Sequence, residues 1–155
     1  MTPHQIKELA ENRFEECLAK NYGINGHLHR LFDTSDIRAA SRYEAQKSFA
    51  HLPKNPADFV VTLNGRMFYA EVKGTDTESF RLNRIEHSQL AGMIKQHAAE
   101  GEYWLFIHQV TNNEWFRMPG SFFVANHKSG GTVTSLKLIN LKKEYGYGTN
   151  PFSDL

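Results

Sequence analysis

Apolar residues recur at helical spacing near the start of the chain, at Ile6, Leu9, Ala10, Phe14, Cys17 and Leu18. Thr2-Pro3-His4-Gln5 has the form of a capping box with Pro3 at the first helical position, and Gly23 is a natural stop, so this stretch predicts one amphipathic helix. From His27 to Phe32 polar and apolar residues alternate, which predicts a short strand. Ser35 to Ala50 is polar and rich in Ala, Arg, Gln and Glu, and predicts a helix or helical protrusion ended by Pro53 and Pro56.

The pattern then changes to period two. Asp58-Phe59-Val60-Val61-Thr62-Leu63 is a β-branched, apolar run, and Asn64-Gly65 is a strong hairpin signal because a type I′ turn needs positive φ at both central residues. Arg66 to Lys73 reads as the returning strand, closed by Gly74. Leu82 to Ala99 is helical by pattern, through Ile85, Leu90, Met93 and Ile94, and Gly101 ends it. Tyr103 to Val110 predicts a third strong strand and Trp115 to Met118 a fourth, with Pro119 as its stop. Ser121 to Asn126 is compatible with helix or strand. Gly130-Gly131 predicts a turn before a last strand or extended segment between Val133 and Leu141. This order implies an α/β fold, with a central mixed sheet flanked by helices. No repeat or linker divides the chain, so residues 1–155 read as a single domain.

Composition narrows the class. The 155 residues are 40% hydrophobic and 23% charged, which excludes low-complexity and disordered classes. The longest apolar runs, such as Phe122-Phe123-Val124-Ala125, fall far short of the roughly 20 residues a spanning helix needs. The polar N-terminus lacks a signal-peptide core, and one cysteine, Cys17, excludes a disulfide framework. A cytoplasmic protein with no membrane partner is expected. No glycine-rich phosphate loop is present, so no nucleotide cofactor is expected, and the eight histidines show no metal-ligand spacing. The total charge is only +1. Between Ile37 and Lys54, however, Arg38, Arg42, Lys47 and Lys54 face Glu44 alone, a local net of four minus one, or +3. That segment is either a solvated face or a nucleic-acid contact.

The candidate chemistry lies on the hairpin. On the returning strand Glu71 and Lys73 share a face with Tyr69, while Ala70 and Val72 face the other way. The hairpin folds Asp58 back beside them. Two close carboxylates repel and raise each other's pKa, and a divalent cation is the usual resolution. Carboxylate oxygens plus retained water suit Mg²⁺. Lys73 is placed to stabilise charge on a phosphate. A bare Asp…Glu-x-Lys pattern also arises by chance on solvated strands, but here it interrupts an apolar surface of Val60, Val61, Phe68, Ala70 and Val72 where charge is costly.

Pro56-Ala57-Asp58 followed by Glu71-Val72-Lys73 resembles the PD-(D/E)xK nuclease superfamily. The stretch Ser79-Phe80-Arg81-Leu82-Asn83-Arg84-Ile85-Glu86-His87-Ser88-Gln89 is similar to the segment after the catalytic lysine of RecU-type Holliday junction resolvases, where a Ser-Phe-x-Leu loop leads into a helix bearing a Gln. The likeness continues through Tyr103 to Val110, Trp115-Phe116, Tyr145-Gly146-Tyr147, Pro151 and Asp154-Leu155. It reaches back to Asn12-Arg13-Phe14-Glu15 and is weakest over residues 21–55.

This resemblance implies a restriction-endonuclease-like core and a Mg²⁺-dependent endonuclease, with Mn²⁺ able to substitute, that resolves four-way DNA junctions by paired symmetric cuts. Asp58 and Glu71 would be metal ligands, Lys73 the catalytic lysine, and Gln89 a helix-borne support for water or the scissile phosphate. Glu15 matches the family's first-helix acid, with Glu16 and Glu11 competing for that role. Thr75, Arg81 and Arg84 would contact DNA. Residues 35–55 would form a stalk entering the junction, presenting Arg38, Arg42, Lys47 and Lys54 to phosphates and Tyr43 and Phe49 to unpaired bases. Alternatives are another branched-DNA or duplex nuclease of the superfamily, or a non-catalytic junction-binding module. Two opposed cuts imply a C₂ homodimer, for which Tyr103, Trp104, Phe106, Trp115, Phe116, Phe122 and Phe123 offer apolar material or else fill the core.

Overall fold

A computed structural model of the chain describes residues 1–31, 54–128, 135–145 and 147–155. Helix α1 (Pro3–Tyr22) opens with the expected capping box: the Gln5 N–H donates to Thr2 Oγ1 at 3.3 Å and the Thr2 N–H to Gln5 Oε1 at 2.8 Å. It leads into the edge strand β1 (Gly26–Arg30). After the undescribed stretch, which includes the expected stalk, β2 (Phe59–Leu63) and β3 (Arg66–Thr75) form the antiparallel hairpin. Asn64 and Gly65 take φ of 50° and 82° at its turn, as that turn type demands.

A short strand β4 (Ser79–Arg81) and helix α2 (His87–Ala98) cross over to β5 (Tyr103–Gln109), which runs parallel to β3. β6 (Glu114–Pro119) returns antiparallel and runs into helix α3 (Gly120–Lys128). β7 (Ser135–Lys137) pairs with β4 in a separate ribbon, helix α4 (Leu138–Tyr145) follows, and β8 (Tyr147–Gly148) adds to β6. The main sheet is six-stranded among the described residues, in the order β1-β2-β3-β5-β6-β8. This is the mixed sheet flanked by helices that the pattern implies.

Two apolar layers sandwich that sheet. On one face α1 sets Ala10, Phe14 and Leu18 against Phe59, Val61, Phe68, Ala70 and Val72. Phe14 is the hub, with ring centroids 4.8 to 5.8 Å from Phe152, Phe106, Phe59 and Trp115. On the other face α2, α3 and α4 lay Met93, Phe123, Leu138 and Leu141 on Leu105, Ile107 and Met118. Five of the seven aromatics considered for an interface (Tyr103, Phe106, Trp115, Phe116 and Phe123) are buried in these two layers, and Trp104 and Phe122 are half-buried against them. The aromatics therefore serve the core first.

Two expectations need correction, and one open alternative is decided. The helix expected from Leu82 starts at His87, because Leu82–Arg84 forms a short 3-10 turn and Glu86 takes the extended N-cap conformation. The ambiguous Ser121 to Asn126 lies within helix. The last expected strand or extended segment is part strand and part helix: Ser135–Lys137 is β7, but from Leu138 the chain is helical, with Leu138 and Leu141 buried on one helical face. No helix among the described residues is long and apolar enough to cross a membrane.

Candidate active site

The hairpin register sets the centre of the site. Phe59 pairs with Ala70, so Asp58, one residue before β2, stands opposite Glu71. Asp58 is held at two points and the chain leading to it at a third. Its Oδ2 accepts the Val72 N–H at 2.9 Å, its carbonyl accepts the Leu31 N–H at 2.8 Å, and the preceding Pro56 carbonyl accepts the Tyr103 hydroxyl at 2.6 Å. Burial, and then the charges of Glu71 and Asp58, push the Tyr103 phenol upward, so it stays protonated as that donor.

Glu71 points to the α2 side of the sheet and is fully buried at 0% exposure. Its Oε1 receives two groups, the Gln89 amide at 2.6 Å and the Lys73 ammonium at 2.7 Å. Gln89 is held by its own helix start: its Oε1 accepts the Glu86 N–H at 2.8 Å in a capping-box arrangement. One amide thus begins α2 and orients the buried acid. Glu71 Oε2 is buried with no partner among the described residues. Burial first, and the neighbouring Asp58 carboxylate second, raise the Glu71 pKa to about 8 against the opposing pull of Lys73.

An unsatisfied, buried carboxylate oxygen beside a second carboxylate is the arrangement a hard cation relieves. No cluster of three or more carboxylate, imidazole or thiolate groups close enough to hold a metal occurs among the described residues. Asp58 and Glu71 are the two carboxylates here that could hold a cation such as Mg²⁺, which binds through one or two carboxylates and completes its shell with water and substrate oxygens.

Helix α1 brings a further acid beside the pair, Glu11, one of the alternatives to Glu15. Glu11 is buried (8% exposed), paired with Arg30 at 2.8 Å and Lys7 at 3.5 Å. Desolvation, and next the charge of Asp58, raise its pKa. Glu15 lies a turn further along, half-buried, with Arg30 at 2.7 Å, and Glu16 is exposed. Lys7 joins the cluster too. Burial works against its charge, yet Asp58, Glu11 and Glu71 outweigh that and hold its pKa above the ordinary value. The approach depends on Gly74: a Cβ there would lie 2.6 Å from the Ile6 carbonyl oxygen, so only glycine lets the first turns of α1 sit this close to β3. Lys7 was missed from sequence, where its one signal is the i,i+4 spacing to Glu11.

The expected DNA contacts are dispersed. Thr75 is buried, and its hydroxyl accepts the Thr77 N–H at 3.2 Å. Arg84 donates to the Gly74 carbonyl at 2.8 Å and lies over the Phe80 ring at 5.3 Å, which ties it to the end of β3. Arg81 is exposed at the end of β4. Lys54 is exposed, 3.5 Å from Glu86. Arg38, Arg42 and Lys47, with Tyr43 and Phe49, lie outside the described residues.

No family model and no curated protein matches the chain. Among solved structures it is similar to one described as the 1.6 Å structure of Archaeoglobus fulgidus Hjc, a Holliday junction resolvase from an archaeal hyperthermophile. The TM-score is 0.44 at 13% identity, covering 74% of this chain and 75% of that one.

Proposed function

We propose that this protein is a divalent-metal-dependent endonuclease of the PD-(D/E)xK type that cuts four-way DNA junctions, using Mg²⁺ or Mn²⁺. The observation that carries the reading is Glu71: a fully buried carboxylate with one oxygen unpartnered among the described residues, opposite Asp58 and bonded to Lys73. A buried charge of that kind is expensive, and nothing in the packing of the sheet requires it. The junction as substrate is supported by the resemblance of Ser79 to Gln89 to RecU-type resolvases. That resemblance also assigns Arg38, Arg42 and Lys47 to the DNA.

The geometry supports the following roles. A cation held by Asp58 and Glu71 would supply Lewis-acid polarisation of the scissile phosphate and a more acidic attacking water. Gln89 and Lys73 both occupy Glu71 Oε1, which leaves Oε2 as its ligand atom. Lys73 places a positive charge beside the acids, where it can stabilise the charge that develops on the phosphate. Tyr103 and the Val72 N–H hold Asp58 in register. Two opposed cuts per junction call for two sites, so a C₂ homodimer belongs to the same proposal. Its apolar contact has to come from surface other than the aromatics already spent on the core.

The test is cleavage of a synthetic four-way junction against linear duplex at matched concentration, with and without magnesium. Magnesium-dependent cutting of the junction at symmetry-related positions is expected. Equal cutting of both substrates removes the junction from the proposal and leaves a general nuclease. Sedimentation of the DNA-free protein at low micromolar concentration checks the dimer.

A further inference from the structure

Beyond the acid pair, the same sheet face runs into a cavity. Glu71 pairs with Leu105, Lys73 with Ile107 and Thr75 with Gln109, so these three pairs line up on the α2 side of β3 and β5. Past the last pair lies a cavity of about 560 Å³, with Gln109 and Asn112 on one wall and Lys137 and Ile139 on the other. That volume falls in the range of small-ligand sites, roughly 300–1,000 Å³. At about 3.3 Å of rise per residue, Thr75 is roughly 13 Å along β3 from Glu71. The edge of the cavity thus lies a few nucleotides from the acid pair, at about 3.4 Å of rise each.

The lining specifies what fits. Lys137 is exposed and makes no ion pair among the described residues, so it is available to a phosphate. Ile139, 52% exposed, offers an apolar surface of the kind a base covers. Gln109 Oε1 accepts the Asn112 N–H at 2.7 Å, which fixes the turn that carries both cavity-lining side chains. Glu78 and Glu114 also line the cavity. They disfavour a bare anion and suit a base bearing an amino group, as carboxylates accept from cytosine N4.

Resting on the nuclease reading above, we propose that this cavity seats one unstacked nucleotide of the strand that crosses the acid pair. Its phosphate meets Lys137, its base face meets Ile139, and its amino-bearing edge meets Glu78 or Glu114. Branched DNA supplies such a nucleotide at little cost, because unstacking is cheapest where pairing is already interrupted.

The experiment is an amide-resolved NMR titration of the full-length, metal-free protein with a 5′-phosphorylated deoxycytidine dinucleotide. Shifts at the side-chain amides of Gln109 and Asn112 are expected. Lys137→Ala removes the phosphate contact, and Ile139→Asp adds a repelling charge at an exposed position near a helix start, where Asp is well tolerated. Each is expected to weaken binding at least about fivefold, through loss of a charge-assisted contact or gain of a repelling charge, while Arg66→Ala, at a surface ion pair away from both the acids and the cavity, binds like the unmodified protein. Unchanged affinity in both cavity variants overturns the proposal. Displacement by inorganic phosphate as effective as by the dinucleotide also overturns it, because the cavity then holds an anion and no base. If the protein fails to cleave junctions yet binds the dinucleotide in this way, the nuclease reading falls and the nucleotide site stands. If it cleaves junctions and the cavity variants bind normally, only the nucleotide site falls.

Discussion

Successive residues of β3 are equally buried and chemically opposite. Val72 is 0% exposed and packs with Phe68 and Ala70 into the aromatic layer around Phe14, while Glu71, also 0% exposed, and Lys73, 9%, face the other side. Removing Val72 from water is favourable by about 25 cal/mol per Å² of apolar area. Removing Glu71 from water is unfavourable unless its charge is matched, and its matching is incomplete because one oxygen has no partner among the described residues. A strand thus separates stability from chemistry by a period of two: one row of side chains holds the fold together and the alternate row spends part of that stability on a reactive site.

The sharpest way to break this contrast is to neutralise the costly row. Asp58→Asn, Glu71→Gln and Lys73→Ala are each expected to lower junction cleavage by about a thousandfold or more while metal-free junction binding persists, since binding rests mainly on phosphate contacts elsewhere. Single-turnover cleavage and gel-shift titration of the same preparations check it, and normal cleavage by any one of them removes that residue from the mechanism. On the stabilising row, Phe14→Ala is expected to cost about 3–5 kcal/mol in denaturant unfolding, because four aromatic rings lose their common neighbour.

A smaller effect distinguishes the rows by pH. Glu71 has a folded-state pKa of about 8 against an ordinary 4.5, so the fold retains a proton that the unfolded chain has released. Stability of the metal-free protein is therefore complete below about 4.5 and declines as pH rises toward about 8, by an amount on the order of a few kcal/mol. Glu71→Gln is expected to flatten that decline, and magnesium to offset it in the unmodified protein. Thermal unfolding across this pH window measures both, and an unchanged pH profile in Glu71→Gln contradicts the assignment. The smallest effect belongs to a pair at the surface: Arg66 and Glu102 form an ion pair in contact with solvent, and Arg66→Ala is expected to cost less than about 1 kcal/mol. Comparison with Lys73→Ala in the same unfolding assay shows what burial adds to an ion pair.

The parts of the site that were legible from sequence rest on local rules. Asn64-Gly65 specifies its turn because few other pairs accept positive φ at both positions, and once the turn is set the register carries Asp58 to Glu71. The Thr2 capping box and the alternation along β3 belong to the same kind of information. Glu11 was harder. Glu11 and Glu15 are both acids flanking the apolar stripe of one helix, and a helical wheel does not say where the helix rests. That depends on Gly74, which admits Ile6 to β3 and so places Lys7 and Glu11, one turn short of Glu15, at the acids. Likewise α4 begins where a period-two pattern turns into a helical one within a few residues, too short a stretch for periodicity to separate them.

By itself the sequence determined the start of α1, the hairpin, the placing of Asp58 beside Glu71 and Lys73, and the mixed α/β order, because each depends on neighbours a few residues apart. Tertiary structure alone decided which first-helix acid approaches Asp58, that Tyr103 anchors Pro56, and that Gln89 both starts α2 and grips Glu71. It also decided that most of the C-terminal aromatics fill the core. The physical reason is that burial and pairing are properties of distance in space. Glu71 is costly only because α2 and the hairpin exclude water from it together, and no stretch of chain carries that information alone.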